Sequence, residues 1–279
     1  MSLRRKLLYG KPKSPYLPKA VCHEISPFTV QLDGVILHGW LALPHGYVSG
    51  AILYFNGRRE SPTTIFRFLS SLKNQAVAVF HYRGLGPSTG TPSEKALVDD
   101  GLLVLDWLCA RTQLPLSSIT IVGRSLGSGI AIQVSAIREV AGLILISPFD
   151  SLVHVIRKHI RFFPSFLLED KFYSVGYISK VRCPVLAITG ARDTTIPTEL
   201  SRTLFDNWDG QLAEHEVPEG RHRGLLRYPS VENAVASFIT AISGEAGEGI
   251  AWNHSAMTKS NQPPIHLSAK PVGCTLDQK

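Results

Sequence analysis

The sequence predicts an α/β fold, with a mostly parallel central sheet, an antiparallel hairpin on its N-terminal side and helices on both faces. Three observations carry this reading. Five short, continuously apolar runs, at 51–55, 76–80, 119–122, 143–146 and 185–188, suit strands buried on both faces, as parallel strands are. Segments with helical spacing, near 62–73, 92–111, 126–138 and 197–208, alternate with them in the order that builds a parallel sheet. At 279 residues, 44% hydrophobic and 18% charged, the chain can bury such a sheet without disulfides or metal.

In chain order, residues 20–43 hold two extended segments around Leu32-Asp33-Gly34, a turn signal that predicts the hairpin. The strand at 51–55 runs into Asn56-Gly57, a strong turn former. The helix near 92–111 carries its own start signal: Thr91 to cap it, Pro92 in its first turn and Glu94 as the capping-box acid. After the strand at 143–146 the rhythm breaks. Residues 152–181 form an insert rich in aromatic residues (Phe162, Phe163, Phe166, Phe172, Tyr173 and Tyr177), where a cap over a pocket would be placed. An extended segment at 214–217 and a last helix follow. The organisation expected is a basic extension at 1–19, one domain at 20–243 and a tail at 244–279, whose Gly/Ser/Asn/Pro-rich, aperiodic sequence predicts disorder.

Composition narrows the partners. The net charge of +7 is scattered, its densest groups being Arg4-Arg5-Lys6, Arg157-Lys158 and Arg221-His222-Arg223. No basic, aromatic-interleaved stripe of the nucleic-acid kind is present, so no nucleic-acid partner is expected and the excess charge reads as solvation or mild membrane attraction. Four cysteines (Cys22, Cys109, Cys183, Cys274) lie far apart, without the close pairs of a zinc site or disulfide framework, and read as mostly buried thiols. The apolar stretch after Lys6 is too short for a signal peptide. No apolar run approaches the roughly 18 residues of a membrane span. A cytoplasmic protein is expected.

The chemistry concentrates at Gly123-Arg124-Ser125-Leu126-Gly127, a G-x-S-x-G motif between a strand and a helix. A serine on such a turn projects its hydroxyl away from the sheet, and the helix start favours developing negative charge. The bland alternative is a small-residue turn made for packing. A nucleophilic serine needs a base, and the base an orienting acid. His222 follows the extended segment 214–217, and Asp193 lies just past the strand 185–188, which gives the order Ser125, Asp193, His222. Against these roles, Asp193 is read as a helix-start acid ahead of Pro197, and His222 as one polar loop residue among ten histidines. Asp150 is the fallback acid. Leu126, directly after the nucleophile, supplies one oxyanion-hole amide by position, and Arg58 in the loop after strand 51–55 is the candidate for the second. His38, His81, His154, His159 and His215 read as packed or surface histidines.

These residues resemble the Bem46-like branch of the α/β-hydrolase superfamily, which includes serine esterases, lipases and acyl-thioesterases. The resemblance runs from 51 to His222. It rests on Tyr82-Arg83-Gly84-Leu85-Gly86-Pro87-Ser88-Thr89-Gly90, Pro92-Ser93-Glu94-Lys95, the serine turn, Ser147-Pro148-Phe149-Asp150-Ser151, Asp170-Lys171-Phe172-Tyr173-Ser174 and Cys183-Pro184-Val185. It implies an α/β-hydrolase fold and triad roles for Ser125, Asp193 and His222. Two departures stand out. The branch usually carries His-Gly-Asn where this chain has Asn56-Gly57-Arg58, and relatives often carry Asn or Asp where Arg223 and Gly224 follow the histidine.

The expected reaction is cleavage of an acyl ester or thioester, with no metal or organic cofactor, on a small-molecule or lipid-like acyl substrate. Two rivals remain: a membrane-surface lipase that uses the basic N-terminus and the insert, and a non-catalytic scaffold that binds a ligand or partner. Arg58 and Arg124 either attract an anionic group of the substrate or point to solvent or pair with Glu60.

Overall fold

A computed structural model describes residues 23–244 except 59, 70, 73 and 207. The extension at 1–19, the tail beyond Gly244, Cys22 and Cys274 lie outside the described residues. Eight strands form one sheet in the order β1-β2-β4-β3-β5-β6-β7-β8. They are β1 (His23–Leu32), β2 (Val35–Pro44), β3 (Gly50–Phe55), β4 (Gln75–Phe80), β5 (Ile119–Arg124), β6 (Gly142–Ile146), β7 (Val185–Gly190) and β8 (Leu212–Val217).

The expected hairpin is β1 and β2, joined at Asp33 (φ 49°) and Gly34 (φ 76°). Two positive φ values in a two-residue turn match the right-handed twist of the flanking strands. β2 pairs antiparallel with β4, and every later pair is parallel. The five apolar runs are the buried centre of the sheet: all six residues of β3 and of β4 are buried.

Because side chains alternate across a strand, the sheet feeds two cores. Leu53 and Phe55 face one, with α2 (Glu94–Thr112), α3 (Leu126–Ile137) and α6 (Thr198–Phe205). Ile52 and Tyr54 face the other, with α1 (Pro62–Phe68) and α7 (Pro229–Ile242). Between β6 and β7 the insert contributes α4 (Leu152–His159), a 3-10 turn (Ser165–Leu167) and the one-turn α5 (Val175–Ile178).

One start signal is corrected. α2 begins at Glu94, and its cap is Ser93, whose hydroxyl accepts from the Ala96 amide at 3.3 Å. Glu94 therefore opens the helix instead of closing a capping box with Thr91. Its carboxylate is engaged elsewhere, accepting from Gln133 Nε2 and from the Phe172 amide at 2.9 Å each. These long-range bonds fasten α2 to α3 and to the insert. The predicted helix at 62–73 is also shorter, its helical residues ending at Phe68.

Candidate active site

The serine turn is built by close backbone packing. A Cβ at Gly127 would lie 2.1 Å from the Phe55 carbonyl oxygen, and one at Gly123 would lie 2.5 Å from the Ala131 Cβ. Only glycine lets α3 start this close to the ends of β3 and β5. Ser125, between them, is held at φ 51° and ψ −121°, a conformation that costs a side-chain-bearing residue roughly 1–3 kcal/mol. Its amide donates to the Ile146 carbonyl at 2.9 Å, which anchors the turn to the end of β6. Ser125 is partly exposed, and Leu126 begins α3, in the first turn, where amides lack an acceptor within the helix.

The loop after β3 abuts this turn: a Cβ built on Gly57 would sit 3.4 Å from the Ser125 Cβ. The Gly57 amide donates to Glu60 Oε2 at 2.9 Å. Arg58 is the exposed residue that follows.

Asp193 and His222 meet across 29 residues of chain. Asp193 Oδ2 lies 2.7 Å from His222 Nδ1 and accepts from the Ser147 hydroxyl at 3.0 Å. Its Oδ1 accepts from the amides of Thr195 and Ile196, each at 2.8 Å. Burial alone would raise this carboxyl. The hydrogen bond and charge of His222, then the Ile196 amide and Ser147, outweigh burial and hold it below the usual carboxylate range. The loops are also joined through backbone: Arg192 N donates to the Gly220 carbonyl at 2.9 Å, and a Cβ on Gly190 would fall 2.5 Å from that same oxygen.

Arg124 connects the serine turn to both neighbouring loops. One guanidinium nitrogen donates to Glu60 Oε1 at 2.8 Å and the other to the His222 carbonyl at 2.7 Å. Its side chain is 13% exposed and that of Glu60 2%. Burial opposes the charge on Arg124, but Glu60 and Tyr54 more than compensate and raise its pKa. Of the alternatives open to Arg124, pairing with Glu60 is the one observed. The Tyr54 hydroxyl also donates to Glu60, and burial followed by the Glu60 charge pushes that phenol well above its ordinary range.

Asp150, the fallback acid, does not meet His222. It is paired with His154 Nδ1 and accepts from the Ser151 amide at 2.6 Å, at the start of α4. His159 Nε2 lies 3.2 Å from the Thr195 carbonyl, and His38 and His215 lie in β2 and β8. His81 is buried after β4, edge-on to Trp40 with ring centroids 4.9 Å apart. Sequence spacing gives neither Ser147 nor Glu60 a role in the site. Ser147 carries one visible sign, its place in the Ser147–Ser151 stretch, while Glu60 bonds Arg124 from 64 residues away with no local pattern to mark it.

Among the described residues no group of three or more His, Cys, Asp or Glu is placed to hold a metal ion, and no helix is long and apolar enough to cross a membrane. A cavity of about 240 Å³ lies elsewhere, lined by residues including Phe28, His38, Trp40 and Pro87, and contains none of the site residues.

The backbone aligns closely with solved hydrolases. An esterase of Pyrococcus furiosus, Pf2001, matches with a TM-score of 0.67 at 18% identity, over 83% of this chain and 99% of that one. The alpha/beta hydrolase GrgF of a Penicillium species matches with a TM-score of 0.64 at 16% identity, over 79% and 99%. The chain has the α/β-hydrolase fold. An acetyl xylan esterase of a Paenibacillus species shares this α/β-hydrolase fold at a TM-score of 0.60 and 18% identity, over 86% and 99%. By sequence, the chain is similar to an uncharacterized protein of Mycobacterium tuberculosis, 34% identical over 177 residues, 62% of this chain and 63% of that protein. It is also similar to the lysophosphatidylserine lipase ABHD12 of Macaca fascicularis, 33% identical over 224 residues, 67% of this chain and 55% of the lipase. The matched region thus spans less than two thirds of the length of these curated relatives. No protein-family model matches the chain.

Proposed function

We propose that this α/β-hydrolase fold carries a serine hydrolase that cleaves acyl ester or thioester bonds, with Ser125 as nucleophile, His222 as base and Asp193 as the acid that orients it. The observation that supports this best is the 2.7 Å contact from Asp193 to His222 Nδ1, made on a histidine loop that Arg124, the neighbour of Ser125, bonds at its carbonyl. With Nδ1 committed to the carboxylate, Nε2 is the atom that takes the Ser125 proton as Oγ attacks the acyl carbon. The tetrahedral oxygen receives the Leu126 and Arg58 amides, the C–O or C–S bond breaks, and the leaving group departs with the proton from His222. Water, deprotonated by the same ring, then releases the acid from Ser125 and restores the enzyme.

The similarity to lipases named for lysophosphatidylserine favours a lipid-like substrate. The test is a chain-length series of p-nitrophenyl esters and acyl thioesters, assayed with the wild type and Ser125→Ala. The variant should keep its circular dichroism spectrum and lose about a thousandfold or more in kcat. Retained hydrolysis would remove Ser125 from its role. Absence of turnover and of fluorophosphonate labelling in the wild type would favour a binding scaffold instead.

A further inference from the structure

We propose that the tip of the insert, Arg157 to Phe166, is a docking face for an anionic lipid surface. Seven large hydrophobic side chains are exposed among the described residues, and three of them, Ile160, Phe162 and Phe166, fall within this stretch. Phe162 is 87% exposed and Phe166 81%, more than any other large hydrophobic side chain described. Scattered single exposed side chains need no explanation, but a cluster of this kind marks a contact surface.

The charges around the cluster identify what it contacts. Residues 157–162, Arg-Lys-His-Ile-Arg-Phe, are all exposed, and from Leu152 to Leu168 there are three Arg or Lys and no Asp or Glu. The Arg161 guanidinium lies 5.6 Å from the centre of the Phe162 ring, so charge and aromatic surface are presented together. A protein interface excludes lysine from its apolar centre and sets charge at the rim. A bilayer accepts the mixture, because aromatic rings settle at the headgroup level while adjacent lysine and arginine meet anionic headgroups.

The position of the tip ties docking to the site. His159 reaches the carbonyl of Thr195, whose amide binds Asp193, so the apolar-basic face lies beside the loop that holds the acid. Its purpose rests on the hydrolase reading, since a docked tip would bring that site to the surface where lipid acyl chains are found. The docking itself is independent of catalysis.

The test is co-sedimentation of the full chain with vesicles of phosphatidylcholine alone or with phosphatidylglycerol at three parts in ten. The wild type should bind the anionic vesicles at least about tenfold more tightly than the neutral ones, and 0.5 M NaCl should weaken binding. Phe162→Ser/Phe166→Ser and Lys158→Glu/Arg161→Glu should each lose about tenfold or more in partitioning. Both should hydrolyse a soluble p-nitrophenyl ester within about twofold of wild type. Equal binding by wild type and both double variants would overturn the proposal, as would binding that vanishes on replacing Arg4, Arg5 and Lys6 by Ser but survives the tip variants. Lipid-independent self-association abolished by the Phe variant, with no vesicle binding by wild type, would assign the face to a second copy of this chain and overturn it too. Ser125→Ala should bind vesicles like wild type, which separates a failure of docking from a failure of the catalytic assignment.

Discussion

Arg124 illustrates how a residue beside a proposed nucleophile can shape a site through its neighbours. Its two donors hold the carbonyl of His222 and the carboxylate of Glu60, and Glu60 in turn holds the amide of Gly57 beside Ser125. The orientation of the proposed base and the shape of the proposed oxyanion loop thus depend on one buried cation. Arg124→Met should lower kcat by about tenfold to a hundredfold with little change in KM, because the loss is in positioning and not in ground-state binding. It should also cost about 3–5 kcal/mol of stability, since Glu60 is left buried without its partner. Adding Glu60→Gln removes that stranded charge. The double variant should regain most of the melting temperature without regaining kcat, and thermal unfolding read beside steady-state kinetics checks both halves. A variant that recovers kcat along with stability would show that Arg124 serves only the fold.

At the scale of the element, the β5-turn-α3 unit is legible in sequence because its constraints are local. An apolar strand, two glycines and an apolar helix lie within twenty residues, and each is dictated by the close approach of backbones. Gly127→Ala tests this. Its methyl would meet the Phe55 carbonyl oxygen at 2.1 Å, whereas at Gly46 nothing lies within 4 Å. The substitution should cost several kcal/mol at Gly127, about 3 kcal/mol or more, and under about 1 kcal/mol at Gly46, as urea denaturation will read. What is not legible is set by distant partners. α2 starts at Glu94 and not Pro92, capped by Ser93, while the Glu94 carboxylate is engaged by Gln133 and by the Phe172 amide, 39 and 78 residues away. Asp193 and His222 are marked by their order after strands, whereas Ser147, which donates to the same carboxylate, is marked only by its place in the Ser147–Ser151 stretch. In sequence Arg124 stands undecided between solvent, substrate and Glu60, because a charge pair 64 residues apart leaves no spacing to read.

Across the whole molecule, the alternation of strands and helices makes the class plain, but the order of strands in the sheet has no local signature, since it is decided by which chain-distant edges pair. The sheet also buries titratable groups whose effect is global. Burial, and then the charge of His38, depress the His81 ring to about 4. The unfolded chain takes up a proton on this ring near pH 6.5 and the folded protein only near 4, so between those values the unfolded state binds more protons. Stability is therefore fully present above pH 6.5 and falls as the solution is acidified, by about 3 kcal/mol across the window. His81→Gln should flatten the dependence of the melting temperature on pH between 6.5 and 4, while unchanged slopes would assign the acid sensitivity to other groups.

The seam between Gly190 and Gly220 bears on how this molecule could be re-engineered. With no side chains between them, the acid loop and the histidine loop abut backbone to backbone, so they tolerate almost no independent drift. The Arg157–Phe166 tip belongs to neither loop, and its hydrogen bond to the acid loop, from His159 to the Thr195 carbonyl, involves only one side chain on its own part. Diversity can therefore be introduced at the tip as a replaceable cassette, with new residues chosen for a new surface, while the glycine seam preserves the registry of Asp193 and His222 underneath.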